Sequence, residues 1–160
     1  MTQTTFTPHG AAPTEEGLYD IVHDESARVF RIAGETVGHA GLFSTAPDLL
    51  KFLEMLLNDG KRGRIQYLHS QILENLRMNQ IPHLGDATGL GFELNQPWMG
   101  AKRSPHTFGK TGFTGTSVAC DIAKGIALVI LSNRIYPKRP VDTSTINSFR
   151  ADVCDIVFRS

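Results

Sequence analysis

The sequence predicts an α+β fold: helices first, then an antiparallel sheet, then a C-terminal helix packed on that sheet. Three observations carry this. A capped amphipathic segment spans about 44–60, two apolar runs at 117–122 and 126–132 flank a tight turn, and an apolar stripe recurs at helical spacing over 143–158. The 160 residues suit one compact domain, 1–160.

Residues 1–20 show no strong period and read as an extended lead-in, and residues 21–44, with Gly34, Gly38 and Gly41, read as an irregular structured loop. Ser44 or Thr45 can cap the helix that follows. Pro47 suits its first turn, and Asp48 complements the positive end of the helix dipole. Leu49, Phe52, Leu53, Leu56 and Leu57 form the inward face, and Asn58-Asp59-Gly60 ends it. A second helix is predicted over about 69–79 with Ile72, Leu73, Leu76 and Met78 inward.

From residue 88 the pattern turns to strands. Gly89–Leu94 is a short candidate, and 106–116 is rich in Thr, Phe and Gly. The runs 117–122 and 126–132 form a hairpin around Ala123-Lys124-Gly125. The second run is apolar on both faces and is predicted as a central strand covered on both sides. In the last helix, Ile146, Phe149, Val153, Ile156 and Val157 share the predicted buried stripe.

Sixteen basic and sixteen acidic residues balance to zero net charge, which argues against a nucleic-acid partner. The cluster Lys61, Arg62 and Arg64 beside Gly60 and Gly63 reads as a solvated turn. No apolar run approaches the ~20 residues of a membrane span. Cys120 and Cys154 lack a CxxC partner, so no metal site is predicted; both sit in apolar stretches and read as buried thiols. No cofactor motif is present.

The sharpest chemical motif is Lys110-Thr111-Gly112, followed by Phe113-Thr114-Gly115-Thr116. On a strand, Lys110 and Gly112 share a face. Lys110 supplies a positive charge for a substrate carboxylate or for a nucleophile's proton network, and Thr111 adds a hydroxyl. Gly112 leaves a bare surface against which a substrate can lie, and a main-chain N–H there can face a developing oxyanion. A KTG triplet is short, and a surface lysine in a Gly-rich hairpin has the same spelling.

Longer blocks give the triplet its context. Gly38-His39-Ala40-Gly41-Leu42-Phe43-Ser44-Thr45-Ala46, Val22-His23-Asp24-Glu25 with Ala27, and Leu131-Ser132-Asn133-Arg134 with Pro137 resemble conserved blocks of the penicillin-recognising serine hydrolases. That superfamily holds the serine β-lactamases, penicillin-binding proteins and related esterases, and the resemblance is to the C-terminal half of its class C β-lactamase-like members. It implies a partial α/β sandwich of the β-lactamase/transpeptidase type. It also implies that Lys110, Thr111 and Gly112 form an active-site element and that the Phe113 N–H is half of an oxyanion hole. Thr114 would line the substrate groove. His39 is a weaker candidate for substrate contact, and a structural hydrogen bond beneath the site is the competing role. His23, Asp24 and Glu25 fit no metal pattern and read as loop-fixing polar residues.

The family's nucleophile is the serine of Ser-x-x-Lys, and no serine here has a lysine three residues on. Its Tyr-x-Asn element is absent too, since Tyr19, Tyr67 and Tyr136 are followed two residues on by Ile21, His69 and Lys138. The expectation is therefore the C-terminal, substrate-binding part of a hydrolase acting on β-lactams, esters or peptidoglycan-like peptides, inactive alone. Two alternatives stay open: a non-catalytic binding module, or one half of a split enzyme completed by a partner chain. The implied ligand is a small molecule or peptide with a carboxylate. Self-association is also expected through an exposed sheet edge, the strand over 126–132, where the family fold has further strands paired beside it. Intact relatives are often exported, so the chain's location is left open.

Overall fold

The computed structural model describes residues 11–159, so the expectations for residues 1–10 lie outside the described residues. The chain forms two compact units. One comprises residues 11–44 with Asn133–Val141, the other Thr45–Ser132 with residues 142–159.

The first unit is held by polar contacts. Arg139 reaches Glu15 at 2.9 Å and Glu25 at 3.3 Å, Asn133 donates to the Pro13 carbonyl, and the Glu16 amide donates to the Pro137 carbonyl at 3.3 Å. The segment predicted as irregular loop contains a helix, α1 (Glu25–Ile32). The Asp24 carboxylate caps it through the Ala27 amide at 2.8 Å, Glu25 lies in its first turn and Arg31 in its last. Only Ala27 of this helix is buried, while Val29, Phe30 and Ile32 are exposed. The cap and end charges signal the helix, whereas the apolar pattern does not. The Ala27 amide, followed by the Ser26 hydroxyl, pulls the Asp24 carboxyl down to about 2.

The second unit is α+β. Helix α2 (Ala46–Leu57) starts at the Thr45 cap, with Pro47 in its first turn, and ends at Asn58, as the sequence predicts. Its buried residues are Leu53, Met55 and Leu56; Phe52 is exposed. The basic cluster forms a two-residue ladder, β1 (Lys61–Arg62) with β2 (Ile65–Gln66), exposed throughout and turning at Gly63. Helix α3 (Ser70–Arg77) buries Leu73 and Leu76, but Ile72 and Met78 face out, contrary to expectation. Leu73 and Leu76 lie on the side that meets α2 and the sheet, and Met78 already lies past the helix end.

The sheet runs β3 (Glu93–Leu94), β4 (Thr107–Thr111), β5 (Ser117–Asp121), β6 (Ile126–Ile130), all antiparallel neighbours. Only the last two residues of the Gly89–Leu94 candidate are strand. Gly89 approaches the Leu76 carbonyl so closely that a Cβ would collide with it, and that loop packing replaces a longer ladder.

Two cores flank the sheet. Phe108 and Cys120 face Leu53, Met55, Leu56, Leu73 and Leu76 on one side. Ala119 faces Trp98, Met99, Cys154 and Phe158 on the other, with Ile126 and Leu128 packed against them. Leu53 and Leu56 have no exposed surface, and burying each such side chain contributes roughly 1.5–3 kcal/mol. The two cysteines occupy separate cores and are free thiols.

Among the described residues β6 is the end strand of the sheet, with a neighbour on one side only. Its two-sided apolar pattern reports the layers above and below it and says nothing about lateral neighbours. Helix α4 (Ser144–Val157) covers the sheet, but its buried face is Ile146, Arg150 and Cys154, continued by Phe158, while Phe149 and Ile156 are exposed. Allowing a buried arginine turns the helix away from the predicted stripe. No described helix is long and apolar enough to cross a membrane.

Candidate functional site

Lys110 and Thr111 end β4, opposite Val118 and Ser117 of β5. Gly112 directly follows the last residue of β4 and leads into the turn, in register with Thr116 across from it. The Gly112 amide donates to the Thr116 carbonyl at 2.7 Å, and the Gly115 amide donates to the Gly112 carbonyl at 3.1 Å. Phe113 is exposed on this turn, and Thr114 and Gly112 are half-buried. The space that a Gly112 side chain would fill is taken by the Thr116 hydroxyl, so any side chain there would have to displace that hydroxyl.

The turn is held from inside by two residues that sequence reasoning did not single out for a role there. Arg150, 3% exposed, donates from one terminal nitrogen to the Thr116 carbonyl at 2.9 Å and the Gly112 carbonyl at 3.2 Å. Its other terminal nitrogen donates to Asn147 at 2.8 Å. Ser132 donates to the Gly115 carbonyl at 2.7 Å. These bonds engage main-chain oxygens of Gly112, Gly115 and Thr116. The sequence signal for Arg150 is its place four residues after Ile146 and four before Cys154, a charged residue within an apolar face.

Glu93 is the other unforeseen member. One carboxylate oxygen accepts from the Lys110 ammonium at 3.3 Å and from the Thr111 hydroxyl at 3.2 Å. The second accepts from the Trp98 indole N–H at 2.6 Å. The Trp98 ring lies over Gly109, the residue that pairs with Glu93 across the strands, where a side chain would leave it no room. The signal for Glu93 is an acid between Phe92 and Leu94 in a short strand.

Below the site, Asp121 is fully buried and ties the start of β4 to the β5–β6 turn. It accepts from the Ser104 amide and hydroxyl, each at 2.7 Å, the Thr107 hydroxyl at 2.8 Å and the Lys124 amide at 3.2 Å. Burial pushes its carboxyl up, but the Ser104 hydroxyl and amide, with the Thr107 hydroxyl and the Lys124 amide, hold it below the ordinary range.

His39 belongs to the first unit. Its Nε2 lies 2.9 Å from the Ser26 hydroxyl and 3.3 Å from Asp24, and the same Ser26 hydroxyl donates to Asp24 at 2.7 Å. Serine and aspartate thus meet one ring nitrogen, whereas a triad needs them on opposite nitrogens. This trio braces the start of α1. His23 contacts Thr14 at 3.1 Å and lies 3.9 Å from Glu15. No cluster of His, Cys, Asp and Glu suited to a metal occurs among the described residues.

Chemically, the Lys110 region offers an ammonium, a hydroxyl and a braced turn. These are groups that hold and polarise a ligand.

A family model described as Beta-lactamase matches residues 1–151. A protein named D-alanyl-D-alanine carboxypeptidase from Escherichia coli (strain K12) is 38% identical over 130 residues, covering 78% of this chain and 28% of that protein. One of the same name from Salmonella typhi is 36% identical over 136 residues, covering 81% and 30%. The crystal structure of a beta-lactamase from Mycobacterium bovis superposes with a TM-score of 0.56 at 25% identity, covering 71% of this chain and 43% of that one. The chain therefore spans less than a third of the length of the curated relatives it matches.

Proposed function

The chain belongs to the beta-lactamase family, and from that premise we propose that it is the C-terminal, substrate-binding part of a serine hydrolase performing acyl transfer. The substrate class is a β-lactam, an ester or a peptidoglycan-like peptide. The carboxypeptidase name of the relatives favours an acyl-D-amino-acid peptide as one member of that class. Lys110 and Thr111 engage the polar end of the ligand. The Phe113 N–H is the proposed donor to the oxyanion, and Thr114 borders the groove.

The observation that carries this reading is the braced turn. Arg150 and Ser132 hold the carbonyls of Gly112, Thr116 and Gly115 from the protein side. A turn with its carbonyls fixed has a fixed orientation for its remaining peptide groups, and a preorganised donor needs that. No Ser-x-x-Lys occurs in the sequence, so turnover by this chain alone is not proposed.

The test is a titration of the 15N-labelled chain with benzylpenicillin. The expected result is saturable shifts at Lys110, Thr111, Phe113 and Thr114, with background hydrolysis of a chromogenic cephalosporin. Shifts confined to other residues would refute the site. Turnover that disappears in Lys110→Ala would refute the inactivity and reveal a different nucleophile.

A further inference from the structure

We propose that Glu93 is a specificity-determining residue: it is the internal counter-ion of Lys110, and a ligand carboxylate must compete with it. This rests on the reading of Lys110 and Thr111 as ligand-binding groups. The sequence alone presents Lys110 as a bare cation, which would favour any anion. The structure instead gives one Glu93 oxygen to both groups of that pair, at 3.3 Å from Lys110 and 3.2 Å from Thr111.

Three features make Glu93 a fixed competitor. Its backbone is held in the sheet, with Glu93 opposite Gly109. Its other oxygen accepts the Trp98 indole N–H at 2.6 Å, and Trp98 itself is 8% exposed. Glu93 is also the less exposed partner, its side chain 23% accessible against 57% for Lys110. The lysine can swing toward a ligand, whereas the carboxylate stays where Trp98 holds it. A carboxylate arriving at Lys110 and Thr111 therefore meets a like charge within hydrogen-bond range of both donors. A neutral carbonyl meets no such repulsion. Specificity of this kind is set by a repulsive group built against one ligand class. The site is thereby tuned toward neutral acyl groups at Lys110, and carboxylate ligands bind there more weakly than a lone KTG lysine would allow.

Glu93→Gln isolates the charge. The amide oxygen can still accept from Trp98, and the side chain keeps its size, so the fold is expected to survive. Trp98 is the chain's sole tryptophan, and its emission checks that. Acetate is titrated first, followed at the Lys110 ammonium by NMR in both proteins. Benzylpenicillin and its methyl ester are then titrated as a charged and a neutral pair. Removing an ion pair of this exposure should tighten acetate and benzylpenicillin by about threefold and leave the methyl ester unchanged. Lys110→Met in the Glu93→Gln background should abolish the gain. Equal acetate response in the two proteins, or weaker binding after Glu93→Gln, overturns the proposal. If acetate discriminates but neither penicillin derivative moves residues 110–114, the counter-ion role stands and the reading of the site as a hydrolase groove fails.

Discussion

Arg150 of α4 donates to the main-chain carbonyl of Thr116 at 2.9 Å, which ties the C-terminal helix to the turn that follows β4. The same nitrogen reaches the Gly112 carbonyl, so one guanidinium closes both ends of the turn. Arg150→Met should destabilise the chain by about 3 kcal/mol, because two carbonyls lose a charged donor. Hydrogen exchange of the Phe113, Thr114 and Gly115 amides should accelerate well beyond the change at β5. Arg150→Lys should recover part of the protection. Uniform acceleration across the sheet would show that the arginine supports the core alone.

Gly112→Ala should cost about 1 kcal/mol, since its Cβ would force the Thr116 hydroxyl to turn away. Thr116→Ala in the same chain should remove that cost. Urea denaturation of the two single variants and the double variant measures the coupling. Strict additivity would mean that the two residues do not compete for space.

Asp121 makes stability depend on pH. Its folded carboxyl lies below the ordinary range, so its contribution is fully present above about pH 4, the unfolded value, and disappears as pH falls through the lower folded value. Thermal melts between pH 6 and roughly pH 2 should show a loss that Asp121→Asn flattens. Asp121→Ala should cost about 3 kcal/mol or more at neutral pH, because buried donors from Ser104 and Thr107 lose their acceptor. An acid profile unchanged in Asp121→Asn would assign the acid loss to other carboxylates.

The thiols of Cys120 and Cys154 should be unreactive in the native chain. Burial pushes Cys120 up to about 12 and Cys154 up to about 11, so thiolate is scarce at neutral pH. A chromogenic disulfide reagent should label neither in buffer and both in guanidinium. Fast labelling of either one would mean that its core opens readily.

Among the described residues β6 ends the sheet with half-buried apolar residues along its length, and such an edge is a template for pairing. The chain is expected to self-associate. Sedimentation velocity across a hundredfold range of concentration should show a rising weight-average mass. A monomer at every concentration would contradict it.

Much of this was determined by the sequence by itself. The Thr45 cap, Pro47 and the Leu53/Leu56 spacing are local signals, and α2 appears between the residues they mark. The same holds for the β5–β6 hairpin around Gly125. Caps, periods and turn residues act over a few positions, so a linear reading reaches them. The tertiary structure alone decided the rest. The unbroken apolar run of β6 signals layers on both faces, but lateral pairing is a long-range choice, and among the described residues β6 lies at the end of the sheet. Periodicity favoured Phe149 and Ile156 over Arg150, because a charged residue is counted as outward. Only the folded chain brings the Gly112 and Thr116 carbonyls to the guanidinium and makes its burial stable. Glu93 and Lys110 are separated by a long stretch of chain, and the antiparallel register of β3 and β4 turns a lone lysine into half of an ion pair.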